Sequence, residues 1–479
     1  MRKRVLVIGA GIAGLSAASY LQRNDFDTEI VELHDKPGGL CSAWTRNGFT
    51  FDGCIHWLMG SGPSSYLHRL WEELGAGSLS YIEWDKYIVV RLPDGDSFTL
   101  YTDPDSLEAE IIRLGPEDGA FARLLSAKIK EAAKADMPMF AKRTRISHRH
   151  IVNGLKNPKL RAACSTLFGD SMRDFPAGFL LMMLSFMAKK SAGYPIGGSS
   201  AFARAIEAKY LSLGGNIRYG AKVDEILVEG CPCGAARAVG VRGAWGELRG
   251  DYIVSAADGR DTLDRMLGGE YRGCEMDRVF DQLEPFPSLI FVGLGLDRDC
   301  SGLPHMLTFD LDEALVLESG ALVKKRLTLR TFNFDPSLAP KDKTAAVVML
   351  ETANDAYWTE LAVSDPLAYA AEKKSIANAV VAAIEREIAG FSSWVVAVDV
   401  ATPRTYIRYT NNWHGSFEGW LPTPSSIVMK VPRTIPGIEG FEMTGQWVNP
   451  GGGLPTCAVD GRNLAKRLCK AEGREFRAD

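Results

Sequence analysis

The chain has 479 residues, of which 46% are hydrophobic and 24% are charged, and its formal net charge is −4. This length exceeds one ordinary hydrophobic core, so we expect a globular protein of two or three subdomains. The charge balance offers no basic surface for a nucleic acid. Nine scattered cysteines without a secretory signal favour reduced thiols in the cytoplasm, and the seven histidines form no metal-ligand pattern.

The first forty residues have the pattern of a dinucleotide-binding unit. The apolar run 5–8 predicts a buried parallel strand, and Ile12–Arg23 has helical periodicity. Gly9, Gly11 and Gly14 lie between and within them at the G-x-G-x-x-G spacing. Gly9 permits the turn, Gly11 lets the backbone approach a pyrophosphate, and Gly14 lets the helix lie close to the strand.

An acid and a second glycine turn follow this unit. Glu32 ends a second predicted strand, residues 28–33, about 20 residues further on, where a carboxylate can bind ribose hydroxyls and would repel a 2′-phosphate. The pair Gly38-Gly39 then suits a chain that folds back beside the pyrophosphate of a long, permanently held cofactor. This second turn favours FAD over NAD.

These residues resemble the FAD site of the flavoprotein group that includes amine oxidases and phytoene desaturases. The resemblance implies that Gly38, Gly39 and Leu40 contact FAD. Leu40 stands where that group usually has an arginine. The arginine side-chain contact to the pyrophosphate is therefore not expected here, whereas the backbone contacts are.

A glycine- and aromatic-rich stretch, residues 48–60, comes next. The resemblance places this stretch beneath the flavin and facing the substrate, so His56, with Cys54 beside it, is our candidate catalytic acid or base. The alternative is that His56 only hydrogen-bonds within a buried loop.

Residues 81–90 and 97–101 flank Pro93-Asp-Gly95 and predict a β-hairpin, after which residues 103–190 have a helical pattern. Within it, Ala177–Ala188 is apolar on every face, rich in methionine and shorter than the ~20 residues of a membrane-spanning helix. Such a helix is buried core, the lining of an apolar channel, or a contact with a bilayer surface, and these roles can coexist.

The α/β pattern returns at residue 194. Ser199 or Ser200 is a plausible N-cap for a helix to residue 213, and strands are predicted at 223–228, 238–242 and 252–257. Residues 194–219 resemble the second cofactor segment of phytoene desaturase-like proteins, which implies a backbone contact between Val223 and the adenine. Cys231-Pro-Cys233 has no second pair at zinc spacing, which favours an exposed turn.

Residues 275–425 have the pattern of a separate mixed unit. Strands are predicted at 288–296, 326–332 and 345–350, with a helix at 366–388. The aromatic segment 402–420 looks most like the carotenoid isomerase and retinol saturase branch. Its tryptophans and phenylalanine suit a loop against a flat conjugated substrate, and the alternative is a structural loop.

The C-terminal segment closes the proposed cofactor site. A strand ends near Gly445, a glycine loop follows, and a helix begins near Pro455. The free N–H groups of such a helix start suit the pyrimidine edge of a flavin, which becomes negative on reduction. Resemblance to the closing flavin-binding segment of phytoene desaturases implies contacts from the residues Gly445, Gly452, Gly453, Leu454 and Pro455.

We therefore predict an α/β fold: a discontinuous Rossmann-like FAD-binding domain, a mixed-sheet substrate domain and a helical insertion. The predicted bounds are 1–80, 194–274 and 426–479 for the FAD domain, 81–103 and 275–425 for the substrate domain, and 104–193 for the insertion.

The resemblance implies an FAD-dependent oxidoreductase acting on C–C or C=C bonds of a long apolar polyene or isoprenoid. The alternatives are an amine oxidase-like flavoenzyme and a non-catalytic carrier of prenyl groups or lipids. We expect an apolar small molecule as the partner, no nucleic acid, and any membrane contact to be peripheral. The oligomeric state does not follow from the sequence.

Overall fold

The computed structural model describes residues 2–135, 145–165, 167, 169–230 and 236–479. The predicted turn at Cys231-Pro-Cys233 lies outside the described residues. In chain order the strands are β1 (Arg4–Ile8), β2 (Asp27–Val31), β3 (Ala43–Arg46), β4 (Phe49–Asp52), β5 (Leu58–Met59), β6 (Tyr81–Ile82), β7 (Lys86–Arg91), β8 (Ser97–Tyr101), β9 (Ala192–Pro195), β10 (Asn216–Arg218), β11 (Glu225–Gly230), β12 (Ala236–Gly243), β13 (Gly246–Arg249), β14 (Tyr252–Ser255), β15 (Ser288–Leu296), β16 (Met306–Leu317), β17 (Leu322–Thr331), β18 (Thr344–Thr352), β19 (Val395–Ala401), β20 (Ile438–Glu439) and β21 (Phe441–Met443).

The α-helices among the described residues are α1 (Ile12–Arg23), α2 (Tyr66–Glu73), α3 (Pro104–Leu114), α4 (Gly119–Ala135), α5 (His148–Gly154), α6 (Pro158–Cys164), α7 (Ala177–Ala188), α8 (Gly198–Ser212), α9 (Cys274–Gln282), α10 (Asp355–Ser364), α11 (Pro366–Glu387), α12 (Phe391–Trp394), α13 (Pro403–Thr410) and α14 (Leu454–Ala471).

A five-stranded parallel sheet forms the first layer. Its order is β10-β2-β1-β14-β21, so strands from three distant parts of the chain lie side by side. The central strand β1 is buried because every strand of a parallel sheet is covered on both faces. The prediction of a discontinuous Rossmann-like α/β domain is confirmed.

A seven-stranded mixed sheet forms the second unit, in the order β19-β15-β18-β17-β16-β7-β8. Its β7–β8 edge is the predicted antiparallel hairpin, which joins the sheet through the parallel pair β7–β16. Its first strand is shorter than predicted, because Tyr81–Ile82 form the separate strand β6, which pairs with β9. Helix α11 covers one face of the sheet, where Val380 and Ile384 pack with Val292 and Val348. The opposite face of the central strands is left for the cavity described below.

The helical insertion comprises α3 to α7, and α7 has the bounds that its apolar pattern predicted. The next helix, α8, begins two or three residues earlier than we expected. Gly197 is its N-cap at φ +85°, and Ser199 lies in the first turn, where its hydroxyl donates to Asp52 at 2.5 Å. The N-cap prediction at Ser199 or Ser200 is therefore wrong, because the side chain serves a long-range contact.

The two ends of the chain meet through α1 and α14. A Cβ on Gly461 would lie 2.7 Å from both the Ala13 carbonyl oxygen and the Ala17 nitrogen, so glycine permits the close crossing of these helices. The Ser16 hydroxyl donates to the Ala458 carbonyl at 2.7 Å across the same contact. This crossing brings the start of α14 beside the start of α1.

Candidate cofactor and substrate site

The three glycines of the first turn meet three different structural requirements. Gly9 has φ +99°, which the turn after β1 demands. A Cβ on Gly14 would lie 2.0 Å from the Gly9 carbonyl oxygen, so α1 packs on the turn only with glycine there. Gly11 has φ −67°, and its Cβ would meet no protein atom closer than the Gly38 carbonyl oxygen at 3.9 Å. Only Gly11 has no reason inside the protein to be glycine.

The open space over Gly11 therefore shows whether a dinucleotide could be bound at this turn. No side chain among the described residues caps α1, so the N–H groups of its first turn face the same space. A glycine without internal cause beside an uncapped helix N-terminus is the arrangement that a pyrophosphate requires. The residues present fit such a group.

Glu32 lies at the end of β2 and is 6% exposed. Its Oε2 accepts a hydrogen bond from the Ala10 N–H at 2.5 Å, and its Oε1 accepts one from the His34 N–H at 2.8 Å. Burial raises its pKa above the usual range, against the opposing effect of these N–H donors. A carboxylate has further lone pairs beyond these two bonds, which leaves acceptors for ribose hydroxyls.

The second glycine turn packs directly on the first. The Gly38 N–H donates to the Ala10 carbonyl at 2.9 Å, and Gly38 and Gly39 have φ values of +116° and +60°. A Cβ on Gly39 would lie 3.4 Å from the Gly11 Cα. Leu40 follows on the wall of the same cavity.

The C-terminal glycine loop reaches this cavity from the opposite end of the sequence. Gly452 and Gly453 have φ values of +46° and +83°, and α14 begins directly after them without a side-chain cap among the described residues. Asp460 joins α14 to the segment before the loop, because its carboxylate accepts from Arg433 Nε at 3.0 Å and from the Thr444 hydroxyl at 2.8 Å. The positive end of α14 therefore points into the cavity.

One cavity of about 990 Å³ joins these features. Two of the sequence-predicted site residues lie off its wall: Gly14 packs α1 on the turn, and Gly445 packs against Ala13, where its Cβ would be 3.0 Å from the alanine Cβ. The predicted residues on the wall are Gly9, Gly11, Glu32, Gly38, Gly39, Leu40, His56, Val223, Gly452, Gly453, Leu454 and Pro455.

Val223 precedes β11 rather than starting it, so the strand prediction at 223–228 is displaced by two residues. Its carbonyl accepts from Arg265 Nη2 at 3.0 Å, which holds this segment against the cavity. Val223 lies on the cavity wall, and its contact with the adenine stays a prediction.

His56 lies on the cavity wall in the loop between β4 and β5. Arg330 Nη2 donates to the carbonyls of Ile55 at 2.9 Å and His56 at 3.1 Å, which fixes this loop. Burial, and then the Arg330 charge, hold the pKa of His56 well below its usual range. Its imidazole is therefore neutral near pH 7.

Glu418 is a wall residue that our sequence interpretation missed. Its carboxyl group lies against the C-terminal glycine loop, with Oε1 2.8 Å from where a Cβ on Gly452 would stand. Burial raises the pKa of Glu418 to about 8, although a hydrogen bond from the Gly453 N–H acts in the other direction. A carboxylic acid that stays protonated near pH 7 can donate a proton. No local pattern around Glu418 marks it, because its role depends on a loop more than 30 residues away.

The aromatic loop 413–420 agrees more with the structural alternative than with a loop that faces a ligand. Trp420 is fully buried and lies 5.0 Å from Trp447 between ring centroids, and Trp413 lies 6.0 Å from Trp420. These tryptophans pack with one another, whereas Phe417 lies on the cavity wall. The loop is mainly structural, and one of its three aromatic residues faces the chamber.

Beyond the glycine loops, the cavity widens between α7 and the open face of the seven-stranded sheet. Phe179, Leu180, Met182 and Met183 of α7 form the apolar side. Met183 is also 1% exposed and belongs to the main hydrophobic core. Helix α7 is therefore both core and cavity lining, two of the three roles that its sequence allowed.

Comparisons with known proteins agree with this arrangement. A sequence family described as an NAD(P)-binding Rossmann-like domain matches residues 7–74. The chain is 26% identical to a phytoene desaturase (neurosporene-forming) of Cereibacter sphaeroides, covering 97% of this chain and 94% of that protein. It is 25% identical to a chloroplastic prolycopene isomerase of Arabidopsis thaliana, covering 98% and 83%.

Solved structures share the fold at lower sequence identity. An oxidoreductase from Methanosarcina mazei aligns with a TM-score of 0.66 and 16% identity, covering 97% of this chain and 100% of that one. Putrescine oxidase aligns with a TM-score of 0.60 and 13% identity, covering 98% and 99%. Among the described residues, no helix is long and apolar enough to cross a membrane. The chain is thus similar, over nearly its whole length, to phytoene desaturases and prolycopene isomerases with an amine oxidase-like fold, as its motifs predicted.

Proposed function

We propose that this protein is an FAD-dependent oxidoreductase acting on C–C or C=C bonds of a long polyene or isoprenoid-type substrate. The observation that carries the proposal is one continuous cavity, which runs from Gly11 and Glu32 past the start of α14 into the chamber under α7. A cofactor cradle and an apolar substrate chamber are thereby joined.

The cofactor proposal assigns each end of FAD to residues on the wall. Glu32 would bind the ribose hydroxyls, and Val223 would meet the adenine. The first turn of α1 and the Gly38-Gly39 turn would hold the pyrophosphate, and the start of α14 would face the pyrimidine edge. When bound, FAD supplies hydride transfer to or from a substrate carbon.

The substrate proposal follows from the chamber and from the named relatives. Helix α7 offers methionine, leucine and phenylalanine side chains to the cavity, and methionine adapts its shape to long apolar ligands. The relatives are named as a phytoene desaturase, a prolycopene isomerase and a 4,4'-diapolycopene oxygenase. A polyene or isoprenoid chain agrees with both facts.

Proton transfer at the substrate needs an acid or a base of this chain. Glu418, whose pKa of about 8 keeps it protonated, is the donor that we propose beside the C-terminal glycine loop. His56 is neutral and is the acceptor that we propose on the opposite loop.

The absorbance spectrum of the purified protein tests the cofactor. Oxidised flavin absorbs at about 370 and 450 nm. Mass spectrometry of the released cofactor then distinguishes FAD from FMN and NAD. A folded, colourless protein that takes up no FAD would contradict the proposal and favour a lipid carrier.

Anaerobic bleaching of these bands tests the substrate class. We expect polyene or isoprenoid compounds to bleach or perturb the flavin and simple amines to leave it unchanged. Bleaching by amines alone would instead favour an amine oxidase.

A further inference from the structure

Alternate residues of β17 present polar side chains to the substrate chamber. Lys324, Arg326, Thr328 and Arg330 all lie on the cavity wall, as the two-residue period of a strand requires. Their partners in register on β16 are, in the same order, Leu315, Asp310, Thr308 and Met306. The chamber therefore has an apolar side, formed by α7, and a cationic side, formed by β17.

The outer members of this row are neutralised by the protein itself. Lys324 Nζ lies 3.2 Å from Asp170 Oδ2, and Arg326 Nε lies 2.5 Å from Asp310 Oδ1. The Thr328 and Thr308 hydroxyls hydrogen-bond each other at 2.9 Å. These three positions require no further ligand.

Arg330, the innermost member, differs from them. It is 3% exposed, and only Nη2 is hydrogen-bonded, to the carbonyls of Ile55 and His56. Nε and Nη1 are buried and have no hydrogen-bond partner among the residues that the structure describes. The guanidinium instead packs over Phe332, 4.9 Å from the ring centroid. A buried cation with two unused donors is strongly unfavourable unless a partner arrives.

The Asp52 charge acts on Arg330, but Asp52 forms no hydrogen bond with the two unused donors. Asp52 is fully buried and accepts from the Tyr194 hydroxyl at 2.7 Å and from the Ser199 N–H and hydroxyl at 2.8 and 2.5 Å. Within the described ranges, no carboxylate lies within salt-bridge distance of Arg330. Burial correspondingly lowers the pKa of Arg330 from its ordinary value.

We propose that Arg330 binds an anionic oxygen end group of the substrate, so that the substrate is an isoprenoid or polyene carboxylic acid rather than a hydrocarbon. The inference rests on the proposed function and names the substrate class of that site. The carboxylate would receive hydrogen bonds from Arg330 beside the His56 loop, while the chain would extend along α7. The positive charge of the cationic side then selects the end group, and the apolar side binds the tail.

A pair of probes that share one chain tests this selection. Geranylgeranoic acid and geranylgeraniol would be titrated into the flavin-loaded protein at pH 7.5, with binding followed by the flavin absorbance and by tryptophan fluorescence. We expect the acid to bind roughly tenfold to a hundredfold more tightly than the alcohol, because hydrogen bonds to charged groups are the strong ones.

Three variants test whether Arg330 causes the preference for the acid over the alcohol. Arg330→Gln is expected to abolish it, and Arg330→Lys to keep part of it, since the charge remains. Lys325→Gln is the matched control, because Lys325 is an exposed residue on the other face of the same strand, and we expect this substitution to leave the preference unchanged. A side chain that only fixes the loop would give no difference between acid and alcohol.

Equal or tighter binding of the alcohol by the wild-type protein would overturn the inference, and so would a preference that survives in Arg330→Gln. If Arg330→Gln fails to fold, the wild-type and Arg330→Lys titrations decide. Failure of this inference is distinct from failure of the proposed function, since a yellow protein bleached by hydrocarbons without acid preference contradicts only the former. Tryptophan fluorescence reports binding even in a protein that holds no flavin.

Discussion

Gly11 and Gly14 belong to one motif, but the structure requires glycine at them for opposite reasons. Gly11 leaves space for a ligand and Gly14 allows close packing inside the protein, and two substitutions can measure this difference. In Gly11→Val the new Cβ meets nothing closer than 3.9 Å, and φ −67° is an ordinary value for valine. The cost to the free protein is that of a poorer N-cap, about 1 kcal/mol or less. In Gly14→Ala the Cβ would lie 2.0 Å from the Gly9 carbonyl oxygen, a backbone atom that cannot swing aside. Overpacking of that kind costs about 3 kcal/mol or more.

The assay is thermal unfolding of the cofactor-free protein together with flavin content after gel filtration. We expect Gly11→Val to lower Tm by no more than about 3 °C but to lose roughly nine-tenths of its flavin, because the valine occupies the space over the pyrophosphate. In Gly14→Ala we expect the main effect to be a lower Tm. Gly273→Val is the matched control: Gly273 is the N-cap of α9 at φ −74°, with open space around its Cβ, and lies away from the cavity wall. Full flavin content in Gly11→Val, or an unchanged Tm in Gly14→Ala, would refute the reasoning.

Three further predictions concern proton transfer, stability and surface contact. Glu418→Gln should lower turnover roughly a hundredfold and remove the fall in rate above about pH 8, because the pKa of about 8 belongs to the lost acid; an unchanged pH profile would exclude Glu418 as the donor. Burial lowers the pKa of His148 to about 4, so unfolding takes up a proton, and stability present above pH 6.5 is lost as the pH falls towards 4. Urea unfolding at pH 7 and pH 4.5 should show a loss of up to about 3 kcal/mol from this residue, which His148→Asn removes; equal pH dependence in both proteins would contradict it. Flotation with liposomes tests the expected peripheral membrane contact, and full recovery of the protein in the lipid-free fraction would count against it.

The sequence by itself was sufficient for features that depend on near neighbours. Gly9 needs a positive φ in a turn of a few residues, and the bounds of α7 follow from an uninterrupted apolar run. The glycine spacing, the acid at Glu32 and the helix start near Pro455 are local in the same sense. From them the α/β class and the kind of cofactor cradle could be predicted.

The sequence analysis was less successful where a residue has two competing uses. Ser199 is of a residue type that often caps helices, but its hydroxyl donates a hydrogen bond to Asp52, which is far away in the chain. The sequence left open whether Trp420 faces a ligand or has a structural role. Trp420 packs on Trp447, because burying a large ring against another aromatic ring is favourable wherever the fold brings the two together. Gly445 was assigned to the cofactor and instead gives α1 room to approach.

Tertiary structure alone decided which distant groups share the cavity. Burial against a loop that follows it by more than 30 residues raises the pKa of Glu418. Arg330 is buried because the His56 loop covers the end of β17. Neither burial nor the crossing of α1 and α14 is encoded in a short window, since each arises from packing between segments that are tens to hundreds of residues apart in the chain. The motifs thus determined that a dinucleotide can be held, and packing over long distances determined what faces it.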